Sequence, residues 1–231
     1  SVMLSPRLHR ICLSAAATLC LSVSSATDAA PDGGALYEEH CASCHGSDGD
    51  GGVGVPLSLE SFLDSVPDDY LFRTIRNGRP GRVMPAFRSL SDAQVDALVS
   101  YLRHWSDTPV KQAGEDKEPL ETRIEDVITG DPANGKKLFA RHCASCHGDD
   151  ARGGKGTGVT FSRKRDLPII APALNNSGFL ASASDDMIYR TIVYGREGTP
   201  MTSMLVAGLS DQDIRDVVVY IRSFESTQQA A

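Results

Sequence analysis

The sequence predicts an all-α protein built as a tandem repeat of two small helical domains. Three observations point there. The pentapeptide Cys-Ala-Ser-Cys-His occurs twice, 102 residues apart, and its surroundings repeat with it. Apolar residues recur at the i, i+3, i+4, i+7 spacing of one helix face, and no segment shows the alternation of a half-buried strand.

The first element is a leader. Arg7, His9 and Arg10 precede an apolar run of thirteen residues, Ile11 to Val23, and Ser24-Ser25-Ala26 follow as small residues. This is the layout of a secretory signal peptide over 1–26, too short to span a membrane as a helix. No other stretch reaches eighteen apolar residues, so the mature chain is expected to be soluble with no membrane span. Cleavage after Ala26 removes two arginines and takes the net charge from −7 to −9.

The repeat defines the rest. Leu36-Tyr37 and Leu138-Phe139 stand at equal distances before the two motifs. Asp68 to Ile75 matches Asp185 to Ile192 at an offset of 117, as do Gly78-Arg79 with Gly195-Arg196 and Met84 with Met201. Leu90 to Arg103 matches Leu209 to Arg222 at an offset of 119. An ordered series of matches of this kind is a duplicated domain. The domains are placed at 32–106 and 132–226, with a Pro- and charge-rich linker at 107–131. The growing offset puts fifteen extra residues into the second copy, read as a surface loop inserted near 151–183.

Each half is expected to hold three helical stretches. One runs into the Cys motif, over Ala35–Cys44 and Ala133–Cys146. A second covers Asp68–Asn77 and Asp185–Tyr194 and ends at Gly78 or Gly195, suitable C-cap residues. The third starts at the N-cap serines Ser91 and Ser210. Its apolar face is Val95, Leu98, Val99 and Leu102 in one copy and Ile214, Val217, Val218 and Ile221 in the other. His104 and Trp105 close the first of these helices and are read as having no equivalents in the second copy.

Cysteine usage narrows the chemistry. Of six cysteines, Cys12 and Cys20 lie in the leader and the other four lie in the two motifs. None remains for a disulfide, a thiolate ligand or a catalytic thiol. A Cys-x-x-Cys-His run reads as a c-type haem attachment. Cys41 and Cys44, and likewise Cys143 and Cys146, would form thioethers to the porphyrin, leaving His45 and His147 as axial iron ligands. A zinc site would need two further cysteine or histidine ligands per motif, which the mature chain does not offer. Two covalently bound haem c groups are therefore expected. With aromatic residues at only 6% of the chain, a bulky apolar cofactor would also complete each core.

Each iron needs a sixth ligand, and a thioether on a loop beyond the second helix would provide it and raise the potential. Met84 and Met201 occupy matched Gly/Pro loops and are the candidates. Met204 aligns with Phe87, a packing position, and Met187 aligns with Tyr70 inside a helix. His40 and His142 share a helix with the first cysteine of each motif and cannot reach the far haem face. Arg79 and Arg196 are matched near the methionines, as haem propionate partners or solvated loop residues.

These residues resemble a known family. The CASCHG motif, the Gly-rich segment after it, the GRPGRVMPAF loop and the LSDAQVDALVSYLR helix look like class I cytochrome c domains. The resemblance implies that fold twice, each copy wrapped around one covalent haem with a partly exposed edge. The two-domain plan is similar to cytochrome c4-type dihaem proteins and to dihaem subunits of periplasmic dehydrogenases. It implies a periplasmic electron carrier, not an enzyme, passing single electrons between a redox protein donor and acceptor. The alternative is a haem subunit of a periplasmic oxidoreductase complex: a flavin or molybdenum dehydrogenase, or a terminal oxidase or reductase. A membrane-bound redox complex fits as a partner in either case. Nucleic acid does not, given a net charge of −7. The charge is also uneven: 32–108 carries twelve acidic and six basic residues, 130–226 eleven and twelve. Faces of different sign suit two different partners.

Overall fold

The computed structural model describes residues 30–106, 128–154 and 170–229, so the leader, most of the linker and the middle of the inserted loop lie outside the described residues. All ten regular elements within them are helices. The first half holds α1 (Gly33–His40), α2 (Ala42–His45), α3 (Glu60–Ser65), α4 (Asp68–Asn77) and α5 (Asp92–Arg103). The second holds α6 (Pro132–His142), α7 (Ala144–His147), α8 (Ser177–Ser182), α9 (Asp185–Tyr194) and α10 (Asp211–Gln229). The all-α tandem architecture is thus the observed one. No helix of the described residues is long and apolar enough to cross a membrane.

Two features differ from the sequence-based expectation. The helix leading into each motif breaks at the first cysteine, where Cys41 (φ −120°) and Cys143 (φ −117°) separate α1 from α2 and α6 from α7. The short helices α3 and α8 were not anticipated, because six residues are less than two turns and show no readable period. Helices α4 and α9 have the expected bounds. So does the start of α5, where Ser91 and Gln94 form a reciprocal capping box.

In each half the first helix crosses the last at very short range. A Cβ on Gly33 would lie 2.1 Å from the Ala97 carbonyl oxygen, and one on Gly135 would lie 2.0 Å from that of Asp216. Only glycine permits this approach. Beside it the rings of Tyr37, Tyr101 and Trp105 pack with centroids 5.1 to 5.4 Å apart. Phe139, Tyr220 and Phe224 form the corresponding cluster, at 5.5 and 5.0 Å. Phe224 therefore stands where Trp105 does, correcting the expectation that Trp105 has no equivalent. The apolar faces of α5 and α10 are buried as the periodicity predicts.

A matched arginine ties the elements around each site together. Arg103 donates from Nε to Asp68 Oδ1 at 2.6 Å, from Nη2 to the Val66 carbonyl at 2.7 Å and from Nη1 to the Leu63 carbonyl. Arg222 repeats the set with Asp185, Leu180 and Ala183. One guanidinium thus closes the end of a short helix, where carbonyls lack intrahelical partners, and fixes the start of the next. The second half adds a buried carboxylate. Asp216 accepts from the Asp131 backbone N–H at 2.8 Å, from Asn134 Nδ2 at 2.7 Å and from Gln212 Nε2 at 2.9 Å. This anchors the chain where it enters the second half, as does Ile128, which is buried although it falls in the expected linker.

The two halves pack against each other through α4 on α8 and α3 on α9, a contact that nearly exchanges one copy for the other.

Replacing Arg222 with Ala leaves the Asp185, Leu180 and Ala183 acceptors without their shared donor, besides breaking a bond to Glu225, and is expected to lower stability by about 2–4 kcal/mol. Arg222→Lys should recover only part of that, because a single ammonium cannot span the three acceptors. Chemical denaturation of the haem-loaded chain, followed by circular dichroism, measures both. At Asp216, burial works to raise the pKa, but the three donated hydrogen bonds outweigh it and hold the value below that of an ordinary carboxylate. A depressed folded-state pKa contributes stability that is present above the unfolded value of about 3.9 and lost as pH falls through the folded one. The stability gap between wild type and Asp216→Asn should accordingly be full at neutral pH and close below about pH 4. A gap independent of pH would contradict the assignment.

Candidate functional sites around the two motifs

Each Cys-x-x-Cys-His motif folds as one turn of helix, with matching hydrogen bonds before and after it. The His45 backbone N–H donates to the Cys41 carbonyl at 2.9 Å, as His147 does to Cys143. Beyond each histidine the chain turns back, so that Gly51 N–H meets the His45 carbonyl at 2.7 Å and Gly153 N–H meets that of His147 at 2.6 Å. All four cysteines are unpaired and partly accessible. Burial, and then the neighbouring thiol, pushes Cys41 and Cys143 up to about 11. Both are thiols at neutral pH, the form in which a cysteine adds to a porphyrin vinyl group. Among the described residues no three His, Cys, Asp or Glu side chains gather into a metal-ion site.

The histidine rings are oriented by backbone carbonyls. His45 Nδ1 lies 2.8 Å from the Val55 carbonyl oxygen, and His147 Nδ1 lies 3.0 Å from that of Pro172. A carbonyl only accepts, so Nδ1 carries the proton and Nε2 presents its lone pair to the opposite side. Burial lowers the pKa of both rings against the opposing pull of these carbonyls, and Arg196 lowers that of His147 further. Both are neutral imidazoles at neutral pH, the form that ligates iron. Neither carbonyl was identified from the sequence. Every residue carries that acceptor, and its only signal was the offset of 117 between Val55 and Pro172.

This bond also locates the insertion. Ten residues separate His45 from Val55, and twenty-five separate His147 from Pro172. The extra length falls before Pro172, not across the whole of 151–183. From Leu174 onward the second half follows the first: Leu57 and Ser58 donate to the Gly49 carbonyl as Leu174 and Asn175 donate to that of Ala151. The loop leaves and returns at one place, since a Cβ on Gly153 would stand 2.7 Å from the Ala171 oxygen.

Met84 and Met201 lie half-buried on matched loops between α4 and α5 and between α9 and α10. The Arg79 N–H donates to the Met84 carbonyl at 2.9 Å, and that of Arg196 to the Met201 carbonyl at 2.7 Å. The preceding glycines make this closure possible. Gly195 has φ +69°, and a Cβ there would come within 2.5 Å of the Met201 oxygen; Gly78 stands equally close to Pro85. Met204 is buried and donates its N–H to the Ile192 carbonyl, as Phe87 does to that of Ile75, so it holds the packing position. Met187 is buried within α9. His40 packs at 5.9 Å from the Phe87 ring. Two thiols, a neutral imidazole with a free Nε2 and a Gly-closed methionine loop in each half fit covalent haem c.

Comparison with known proteins agrees. Residues 28–102 match the family model of cytochrome c oxidase, cbb3-type, subunit III, and residues 132–225 match that of cytochrome c. The chain is similar to the cbb3-type cytochrome c oxidase subunit CcoP of Azospirillum sp. (strain B510), with 27% identity over 83% of this chain and 60% of the relative. It is 28% identical to CcoP of Rhodobacter capsulatus, over 85% of this chain and 62% of the relative. Against the FixP subunit of Bradyrhizobium sp. (strain ORS 278) the identity is 25%, over 83% and 59%. The chain thus spans about three fifths of the length of these curated relatives. Among solved structures it aligns with a chain of a Kuenenia stuttgartiensis reducing HAO-like protein complex. That alignment has a TM-score of 0.49 and 26% identity, over 84% of this chain and 95% of that one.

Gly195→Ala forces a side chain into a left-handed backbone position and against the Met201 carbonyl. It is expected to cost about 1–3 kcal/mol of stability. Gly208→Ala shares the positive φ but has open space around its Cβ, so it isolates the backbone strain. Equal losses in the two variants, measured by thermal unfolding, would show that contact with the Met201 loop contributes nothing.

Proposed function

The chain belongs to the dihaem class I c-type cytochromes, electron-transfer proteins with covalently bound haem c, and from that premise we propose that it passes single electrons between periplasmic redox partners. His45 with Met84, and His147 with Met201, are proposed as the axial ligand pairs. The observation that carries this reading is the matched placement of a carbonyl-oriented, neutral histidine and a Gly-closed methionine loop in both halves. Bound haem supplies a one-electron ferric/ferrous couple whose potential is raised by Met/His ligation. The chain's own residues do the remaining work. The Val55 and Pro172 carbonyls hold each ring in one tautomer and orientation, as outer partners of metal ligands do. The methionine loops would cover the opposite face of each haem and keep water from its iron. With His45 and Met84, and His147 and Met201, as ligands, neither iron would keep a position open to substrate.

The relatives favour one partner class. The first half matches the cbb3-type subunit III model, and the curated relatives cited above are cbb3-type oxidase subunits. We therefore assign the acceptor or host complex to a membrane-bound oxidase of that kind, facing the periplasm. The apolar run from Ile11 to Val23 after Arg7 and Arg10, read as a leader, supports the compartment.

The oxidised protein should show the weak near-infrared band of methionine-ligated ferric haem, and Met84→Ala and Met201→Ala should each remove about half of it, since one of two sites is lost. A variant that retains the full band refutes its ligand pair. For the partner, anaerobically reduced protein is mixed with membranes carrying a cbb3-type oxidase and oxygen is admitted. Reoxidation should be faster than with oxidase-free membranes and should slow with added salt. Equal rates with both membranes would remove the oxidase assignment.

A further inference from the structure

The two methionine loops are closed by the same backbone bond, from the N–H of Arg79 or Arg196 to the methionine carbonyl, yet they are braced differently. In the second half the brace is a hydroxyl inside the loop. Thr199 Oγ1 donates to the Arg196 carbonyl at 2.8 Å and accepts from the Met201 N–H at 3.1 Å. Arg82 stands at that position in the first half, and a guanidinium cannot accept from an N–H. The first loop therefore lacks this hydroxyl brace.

The first loop is held instead from the other half. Asn176 is 6% exposed, and its Nδ2 donates to the Pro80 carbonyl, within the Met84 loop, at 2.7 Å. Oδ1 of the same side chain accepts from the Gly178 and Phe179 N–H groups at 3.1 and 3.2 Å, capping α8. One amide thus ties its own helix to the neighbouring half's loop. Beside it, a Cβ on Gly178 would lie 2.2 Å from the Gly78 carbonyl oxygen, so α8 approaches the start of that loop as closely as backbone allows. Asn77 Nδ2 adds a bond to Ser182 Oγ at 3.3 Å. The reverse contact is weaker. Leu59 and Ser61 stand where Asn176 and Gly178 do, at the offset of 117. Leu59 makes no side-chain cap, and Ser61 Oγ donates to the Glu197 carbonyl at 2.6 Å on an exposed edge.

We propose that Asn176 is a positioning residue for the haem of the other half: it holds the first methionine loop so that Met84 stays on the iron, while the second loop is held by its own Thr199. This role rests on the reading of Met84 as the first haem's sixth ligand. A buried carbonyl left without its donor is destabilising, and a loop that loses such a bond opens more often. An outside ligand for ferric iron then competes better with the thioether. The contact between the halves thereby guards one haem against ligand exchange, through a residue that belongs to the other domain.

The test is an imidazole titration of the ferric, haem-loaded chain, followed through the near-infrared band of methionine ligation. In a Met201→Ala background the remaining band reports the first haem, and in a Met84→Ala background it reports the second. Asn176→Ser keeps a capping oxygen for α8 but is too short to reach Pro80. It should tighten imidazole binding at the first haem by about tenfold, as one buried acceptor left unpaired implies, and leave the second unchanged. Asn176→Asp, which keeps the cap and removes the donor, should act in the same way. Thr199→Val should do the reverse, loosening only the second haem's methionine. Hydrogen exchange over residues 79–84 is a second readout, independent of the iron, and should quicken in both Asn176 variants. If Asn176 serves only its own helix, these variants act at the second haem or at neither, and either result overturns the proposal. So does faster exchange with no change in imidazole affinity. Failure of the ligand reading shows separately, as a Met84→Ala variant that keeps the whole band before Asn176 is altered.

Discussion

The hydrogen bond between each motif histidine and a backbone carbonyl is the constraint on which the rest of the structure depends. It fixes the tautomer, points Nε2 away from the protein backbone and requires the chain to come back to one spot beside the ring. Everything after that spot is placed by it. The segment from Val55 or Pro172 leads into a short helix, and that helix is clamped by Arg103 or Arg222 to the last helix of its half. The last helix in turn crosses the first, which carries the cysteines. The ring of contacts is closed: displacing any member moves the histidine.

Much of this was legible from the residues. The Cys-x-x-Cys-His runs, the repeat, the bounds of α4 and α9, the Ser91 cap and the apolar stripes of α5 and α10 all rest on side-chain identity or spacing. What escaped was carried by the backbone or by length. Helices α3 and α8 are too short to show a period. The Val55 and Pro172 carbonyls have no side-chain signature. The cysteine-centred break within each leading helix is a local backbone choice inside a run that otherwise reads as continuous. Trp105 was misread because its partner Phe224 differs in type and α10 continues beyond it. The inserted loop was drawn too wide, since a change of offset brackets an insertion without locating its ends.

The arginines illustrate another limit. Arg79 and Arg196 are identical by alignment, and each opens its methionine loop in the same way. One difference between them is a neighbour, Tyr70 against Met187, nine positions upstream on the preceding helix. Duplicated domains diverge in this way: the matched residue persists while its satisfaction changes. A repeat alignment therefore pairs the residues of the two halves and still misses how differently their neighbours hold them.

The inserted loop has a consequence for how such a chain can change over time. Its two ends meet at Gly153 and Ala171, and both are already secured, one by the histidine's own carbonyl and the other beside the carbonyl that orients its ring. Closing a longer loop between fixed ends costs only logarithmically more. The iron site is thus insulated from whatever lies between them. In evolutionary terms the segment is a port: sequence can be added, lost or recoded there as partners change, without renegotiating the metal centre underneath.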